Sequence, residues 1–525
     1  MKVVGPQDVD KSEKTIEAKF IQSMQSKKNV NLFNELLEIA RRVGPNAKIV
    51  EDIRAAISYK KLILSIYVLS LKLKAHLAKE ERIGVLLPNA IGNIVTIFSL
   101  FRMGKTPAML NFSMGAESLK DCCETASVRT ILTSRVFIEK GNLQAIVDFL
   151  AQGCRILYLE DLQKTITLGD KIKGLLLYLA GKRSSAEVNE MIQFTSGTES
   201  KPKGVVLSHD NLFANAKQAL AVLDIDNEDK VFNSLPMFHC FGLMLVILPI
   251  LNGIPLYLYP SPLHYKEIPQ LVRKTKSTIM CGTSTFLEGY AAYADDQDFA
   301  SMRYVIAGGE KLKAEVAQLW HQRFAITILE GYGVTETAPI LSLNTPAALR
   351  KGTVGRFVPG VEYKIVPVEG IAKGGNLHVK GPNVMKGYLI HGKGYVPLQG
   401  WHDCGDIATV DEDGFISIHS RLKRFAKIGG EMVSLNLVEK LAMECFGHTG
   451  FYAVSVPAEK KGEQVVLYTT KEDADEKVLR RYIMQQKLSA LLIPSKMTYT
   501  NVVPLLGSGK TDYVTFTEKA KQLTM

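Results

Sequence analysis

Residues 195–204 read TSGTESKPKG, a run of hydroxyls and glycines closed by two lysines. Glycine permits a tight backbone, hydroxyls and peptide N–H groups donate to phosphate oxygens, and lysine brings charge. Thr195, Ser196, Gly197, Thr198, Lys201, Lys203 and Gly204 are therefore candidates for a phosphate cradle, although the same residue types close ordinary hairpins. Glu199 is out of character in such a loop. GSGKT at 507–511 ends like a P-loop, but the full G-x-x-x-x-G-K-[ST] pattern needs glycine where Pro504 stands. No helical pattern of adequate length is expected after it, so it reads as an exposed turn whose Lys510 can meet an anion. GYGVTE at 331–336 sets the ring of Tyr332 between Gly331 and Gly333 and follows it with Thr335 and Glu336. An aromatic face stacks on a base and a carboxylate holds Mg²⁺, while a strand-end turn would use the same residues. Asp406, in CGD at 404–406, and Arg421 offer a carboxylate and a guanidinium, though a lone loop Asp is commonly a turn residue. None of the ten histidines is followed by Asp five positions on, and GxSxG and HExxH are absent. That argues against H-x-x-x-x-D acyltransferase, hydrolase and zinc-peptidase chemistry.

Elements must bring these residues together. Short apolar runs at 82–88, 128–134, 155–160, 191–195, 230–236, 254–260, 277–283 and 304–308 read as strands, with helical patterns between most of them. This alternation predicts α/β layers with largely parallel sheets. GVVLSH leaves the 195–204 stretch as a further strand, and Asn89 is placed to cap the helix that follows it. Residues 238–259 are long and apolar enough to span a bilayer, but His239, Pro249, Asn252, Gly253 and Pro255 favour a buried helix, turn and strand. After about residue 350 the rhythm changes: NLHVKG and FISIHS alternate at period two, like half-exposed antiparallel strands. RLKRFAK at 421–427 reads as a linker or exposed turn. A small α+β domain of helix, two strands, helix and strand follows.

The chain has 525 residues, too many for one core. Its 46% hydrophobic and 22% charged residues suit a globular protein. The net charge is +11, and residues 421–525 hold 16 Lys and Arg against 11 Asp and Glu, a local +5. A basic surface favours nucleic acid, anionic lipid or an acidic protein, and also serves general solubility. Seven scattered cysteines without a CxxC pair argue against a disulfide frame or zinc site. The opening MKVVGPQDVDKSEK lacks a signal-peptide core, so a cytoplasmic location is expected.

Taken in order, FTSGTESKPKG, GYGVTE, GWHDCGD, SRLKRFAKIGGEMVS and PLLGSGK are far more specific than any one alone. The chain resembles the adenylate-forming superfamily of acyl-CoA synthetases, luciferases and peptide-synthetase adenylation domains. PMFHCFGL, TVGRFVPG and PLLGSGKTDYVT bring it closer to the bacterial acyl–acyl-carrier-protein synthetases. In bifunctional members that synthetase follows a 2-acylglycerophosphoethanolamine acyltransferase half, which is not expected here. The resemblance implies a large N-terminal AMP-binding domain of layered α/β subdomains (1–420) and a small α+β lid (421–525), with a hinge near 421–424 centred on Lys423. It implies a fatty acid, ATP and Mg²⁺ as reactants and cofactor, and two steps: acyl-AMP formation, then transfer to a carrier thiol.

By position, the 195–204 residues would hold the β- and γ-phosphates, Tyr332 would stack on adenine, and Thr335 would touch the α-phosphate. Glu336, with Thr195, would hold Mg²⁺. Gly308, Gly309 and Glu310 would lie beside adenine, together with Gly331 and Gly333. Asp406 and Arg421 would bind ribose, Lys510 would bridge the α-phosphate and the carboxylate, and His239 would lie near the acyl entry. The chain departs from many relatives at Glu199-Ser200, where they have Thr-Gly, and at Cys404, where Thr is common. Glu199 follows the carrier-protein subgroup and is expected to point away from the nucleotide and pair with Lys201 or Lys203.

Acyl carrier proteins are acidic, and Lys477, Arg480, Arg481 and Lys487 share one expected helix that could meet them, or could simply be solvated. Coenzyme A is the alternative acceptor. A P-loop nucleotidase and a non-catalytic lipid or nucleotide binder are the readings from other classes. No nucleic acid partner is expected, and peripheral contact with the inner face of a membrane is compatible with a fatty acid substrate.

Overall fold

Each of the eight apolar runs expected as strands between residues 82 and 308 forms one. The computed structural model describes residues 6–24, 29–195, 201–371, 373–428, 431–458, 462–486, 488–504 and 511–524, with side chains from residue 15 onward. An eight-stranded sheet runs in the order Gly394–Pro397, Gly387–Ile390, Lys203–Ser208, Glu190–Thr195, Thr106–Met109, Arg82–Val85, Thr130–Thr133, Arg155–Tyr158. It is parallel from Glu190–Thr195 to Arg155–Tyr158 and antiparallel at the other end. A nine-stranded sheet runs Arg356–Phe357, Ile340–Leu343, Leu329–Gly333, Tyr304–Ala307, Ile279–Gly282, Val231–Asn233, Leu256–Leu258, Lys48–Asp52, Ala56–Ser58. Its centre, from Leu329–Gly333 to Lys48–Asp52, is parallel. These strands are short and almost wholly buried because helices cover both faces, which is why they read as continuous apolar runs.

The 238–259 stretch folds as expected into the buried helix Cys240–Ile250, a turn and the strand Leu256–Leu258. Among the described residues no helix is long and apolar enough to cross a membrane.

Three local expectations need correction. Asn89 does not cap the helix Ile91–Arg102: Ala90 holds that position, and Asp52 Oδ2 accepts from Ile91 N at 3.1 Å. The buried Asn89 amide instead donates to Leu235 O (2.7 Å) and accepts from Met237 N (3.0 Å), fixing the segment before His239. RLKRFAK is the expected turn only in its first half and not a linker. Leu422–Arg424 is a single 3₁₀ turn and Phe425–Ile428 is a strand that buries Ala426 and Ile428. Arg424, which suggested exposure, donates to Glu439 Oε1 and Ala453 O, both at 2.6 Å, and lies 3.9 Å from the Tyr513 ring centre. Finally, a helix does follow GSGKT: Tyr513–Thr524 buries Phe516 and Ala520. Pro504 remains the ground against a Walker loop, and residues 505–510 lie outside those described.

Contacts divide the chain into two units, Met1–Glu362 with Lys380–His402, and Tyr363–Val379 with Asp403–Met525. The border anticipated at residue 421 falls inside the second unit, whose later segment already begins at Asp403, ahead of the strand Ile416–Arg421. That unit has a four-stranded sheet and a second one built on the long hairpin Phe451–Ala458 and Gly462–Thr469, backed by the helices Leu435–Phe446, Glu476–Gln485 and Tyr513–Thr524.

Candidate functional site

In the first unit, Glu190–Thr195 and Lys203–Ser208 pair antiparallel with Thr195 opposite Lys203, so the cradle candidate is the connection of a hairpin. Ser196, Gly197 and Thr198, with Glu199, lie outside the described residues. Thr195 is half-buried at the strand end. A Cβ on Gly204 would stand 3.1 Å from Ile192 Cγ2 and 3.2 Å from Leu389 Cβ, so this glycine allows close strand packing. Lys201 Nζ donates to Asp121 Oδ1 at 2.8 Å and lies 3.0 Å from His391 Nε2. Asp121, Glu124 and His391 converge closely enough to hold a cation, and the Lys201 ammonium already lies among them. Lys203 Nζ stands 5.6 Å from the ring centre of Tyr388.

Tyr388 ties this hairpin to the second motif. Its strand, Gly387–Ile390, pairs with Lys203–Ser208, and its hydroxyl donates to Glu336 Oε1 at 2.8 Å. The Glu336 carbonyl accepts from Met385 N at 2.8 Å, so main chain and side chain are both fixed. Glu336 belongs to the 3₁₀ turn Thr335–Thr337, which joins the antiparallel strands Leu329–Gly333 and Ile340–Leu343. That turn is pinned at its base: a Cβ on Gly333 would overlap the Pro339 carbonyl. The Cys240 thiol points at Thr335 O, 3.8 Å away. Burial, and secondarily the Glu336 charge, push that thiol well above its ordinary pKa, so it stays neutral. His239, just before it, is half-buried at the start of the helix Cys240–Ile250, with its ring centre 4.7 Å from that of Phe238.

Gly308 and Gly309 follow the strand Tyr304–Ala307. A Cβ on Gly308 would lie 3.2 Å from the Phe241 ring, and Gly309 adopts φ +82°. Glu310 Oε1 accepts from Thr285 N at 2.6 Å, holding the start of the helix Ser284–Tyr293. Gly308, Gly309, Gly331, Tyr332 and Gly333 together line a cavity of about 120 Å³. Apart from Ser342 its remaining wall is apolar: Phe241, Met244, Leu245 and Leu248 from the helix Cys240–Ile250, with Ile279, Ile306 and Ile340 among the strand residues.

Sequence reasoning missed Tyr388, which only the alternation of GYLI could have marked as a strand residue, and the role of Asn89 in holding the loop to His239.

The second unit carries its own group. Asp406 and Arg421 are register partners on adjacent antiparallel strands, with Arg421 Nε 3.2 Å from Asp406 Oδ1. Asp406 is buried and Arg421 largely exposed. Lys423 lies in the 3₁₀ turn directly after. Lys477, Arg480 and Arg481 are exposed on the helix Glu476–Gln485. Lys487 and Lys510 lie outside the described residues.

Comparison with known proteins finds relatives along most of the chain. The chain is 29% identical over 483 residues to the long-chain-fatty-acid–CoA ligase of Salmonella typhimurium, covering 83% of this chain and 84% of that one. It is 28% identical over 498 residues to a feruloyl-CoA synthase from Amycolatopsis, covering 89% and 95%. Among solved structures, ATP-bound MatB from Rhodopseudomonas palustris superposes with a TM-score of 0.77 at 23% identity, over 95% of this chain and 100% of that one. The o-succinylbenzoate CoA synthetase MenE from Bacillus subtilis, holding its acyl-adenylate, gives 0.76 at 20% identity, over 91% and 96%. At such identities these two show a shared fold. A model of one family, described as AMP-binding enzyme, matches residues 37–389, more than half of the sequence, and this chain belongs to that family.

Proposed function

We propose that this chain is an AMP-forming acid–thiol ligase that activates a fatty acid with ATP and passes the acyl group to a thiol. The observation that carries the reading is the apolar cavity walled by Leu329–Gly333, the strand that leads directly into Thr335 and Glu336. An acyl chain in that cavity would bring its carboxylate toward a turn bearing a hydroxyl and a fixed carboxylate. The carboxylate attacks the α-phosphate, pyrophosphate leaves, and the acyl-AMP formed has a far better leaving group than the acid. The protein's part is positioning and charge stabilisation.

In this reading Tyr332 is the platform for adenine, and Lys201, Lys203 and the 195–204 connection hold the outer phosphates. Lys201 would leave Asp121 and His391 to do so. Hard oxygen donors suit Mg²⁺, and Glu336, oriented by Tyr388, would hold it with Thr195, where it would neutralise phosphate charge. In the second unit Asp406 and Arg421 would take the ribose hydroxyls, and Lys510 would neutralise charge on the α-phosphate and carboxylate. The turn at Lys423 would be the pivot that exchanges Lys510 for the 427–431 segment between half-reactions.

Each of two acceptors has its own support. The exposed cations of the helix Glu476–Gln485 favour an acidic carrier protein, whereas the relatives named as CoA ligases favour coenzyme A. The test is pyrophosphate release from ATP, which should require fatty acid, followed by discharge of the bound acyl-AMP to each thiol. Phosphate release without fatty acid would instead mark a nucleotidase, and ATP binding without exchange a binder. Faster discharge to coenzyme A would remove the carrier-protein reading and leave the ligase intact.

A further inference from the structure

The helix Leu168–Leu179 has two apolar faces, and only one is covered. Inward, Gly174 is buried, and a Cβ there would come within 2.7 Å of Val68 Cγ2 on the helix Tyr59–His76. Leu177 and Tyr178 are part-buried against the same core. Outward, Leu168, Ile172, Leu175, Leu176 and Leu179 are between 41% and 73% exposed. At about 100° per residue these five fall within an arc of roughly 100°, a continuous stripe along the helix. A surface helix needs one apolar stripe for packing; a second stripe facing water marks an interaction surface.

The borders of the stripe are cationic. Lys171 and Lys173 are exposed, one on each side of it. The only carboxylate of the helix, Asp170, is held by Lys72 at 2.6 Å and accepts from Thr167 N at 2.8 Å. Just past the helix Lys182 is exposed, and the Arg41 guanidinium lies against Gly181.

We infer that this helix docks on an anionic lipid surface, lying in the plane of the interface. The leucine stripe enters the acyl region and the flanking lysines meet headgroup phosphates. A second copy of the chain fits this face less well. Two stripes face to face would bring four lysines together while Asp170 on each helix is already committed to Lys72. An anionic headgroup layer supplies the missing opposite charge, and the net +11 of the chain acts in the same direction. The docking requires neither ATP nor fatty acid, so it stands apart from the proposed reaction.

The test is co-sedimentation of the full chain, without substrates, with phosphatidylcholine vesicles containing about a third phosphatidylglycerol, against phosphatidylcholine alone. Binding is expected to the anionic vesicles and to weaken with salt. Ile172→Asp with Leu176→Asp should lower the affinity by more than about tenfold. Lys171→Gln and Lys173→Gln should each lower it about fivefold. Should the aspartate variant fail to fold, Leu176→Trp gives an independent reading: its emission should shift to the blue on anionic vesicles and be quenched by brominated lipid. Wild-type protein that stays in the supernatant, or binding that these substitutions leave unchanged, would overturn the inference. So would a stable dimer that the aspartate variant disperses, which would assign the face to self-association.

Discussion

Tyr388→Phe isolates one hydrogen bond at the centre of the proposed site. The phenol donates to Glu336 Oε1 at 2.8 Å, while its ring stands 5.6 Å from the Lys203 ammonium. Phenylalanine keeps the ring and its strand pairing and deletes only the hydroxyl. A hydrogen bond to an ionised carboxylate contributes about 1.5–3 kcal/mol. If that bond orients Glu336 for the metal, its loss should lower fatty-acid-dependent ATP–pyrophosphate exchange roughly 10- to 150-fold. Part of the loss should be recovered at high Mg²⁺, because a misaligned carboxylate binds the ion less tightly but still binds it. The thermal midpoint should fall by no more than a few degrees, since the ring still fills its place. The assay is exchange measured across a Mg²⁺ titration, with the acyl-AMP discharge step measured separately as a control. Exchange within twofold of wild type at every Mg²⁺ concentration would refute the assignment of Glu336 as an oriented ligand.

Other outcomes follow from neighbouring features. Gly333→Ala drives a methyl into the Pro339 carbonyl and should cost most of the exchange activity together with several degrees of melting temperature; a fully active variant would show that the turn has slack. Met244→Trp fills the cavity from its helical wall and should shift preference in a fatty acid panel toward shorter chains, whereas an unchanged profile would place the acyl chain elsewhere. Lys510→Ala should nearly abolish adenylation while sparing thioester formation from supplied acyl-AMP; equal loss of both steps would argue against a residue used in one half-reaction. Burial lowers the His209 pKa from 6.5 to about 3, and its Nδ1 accepts from Leu32 N. The unfolded chain therefore binds the extra proton first, and stability should fall as pH drops from about 6.5 toward 3, by up to about 1.4 kcal/mol per pH unit. His209→Gln should flatten that slope in urea unfolding, and parallel wild-type and variant curves between about pH 7 and 5 would contradict it.

How much of this was legible depended on where the determining contacts lie along the chain. The strands Thr130–Thr133 and Ile279–Gly282 could be read because burial on both faces leaves an unbroken apolar run. Phe425–Ile428 could not, since only Ala426 and Ile428 face inward among basic neighbours, and Arg424 is covered by Glu439 and Tyr513 from far along the sequence. Asn89 looked like a cap because its spacing to the helix was right; its true partners, Leu235 and Met237, are nearly 150 positions away. The site shows the same division. GYGVTE announced itself by residue type, whereas Tyr388, which holds Glu336, became visible only through the strand pairing that carries it there. Gly204, read for phosphate, also lets two strands approach, a use that only the folded pairing displays.

The glycines of Leu329–Gly333 also constrain how this protein can change. Gly331 already brings its neighbour Leu343 to 3.0 Å from any added Cβ, and Gly333 has no room at all, so this wall of the cavity cannot be remodelled by substitution. The opposite wall is made of interchangeable aliphatic side chains, Met244, Leu245 and Leu248, on one helix. Drift in acyl preference should therefore accumulate on that helix, while the rigid wall preserves the turn that would serve the nucleotide. A lineage could exchange one carboxylic acid for another with a few helical replacements and leave its phosphate chemistry untouched.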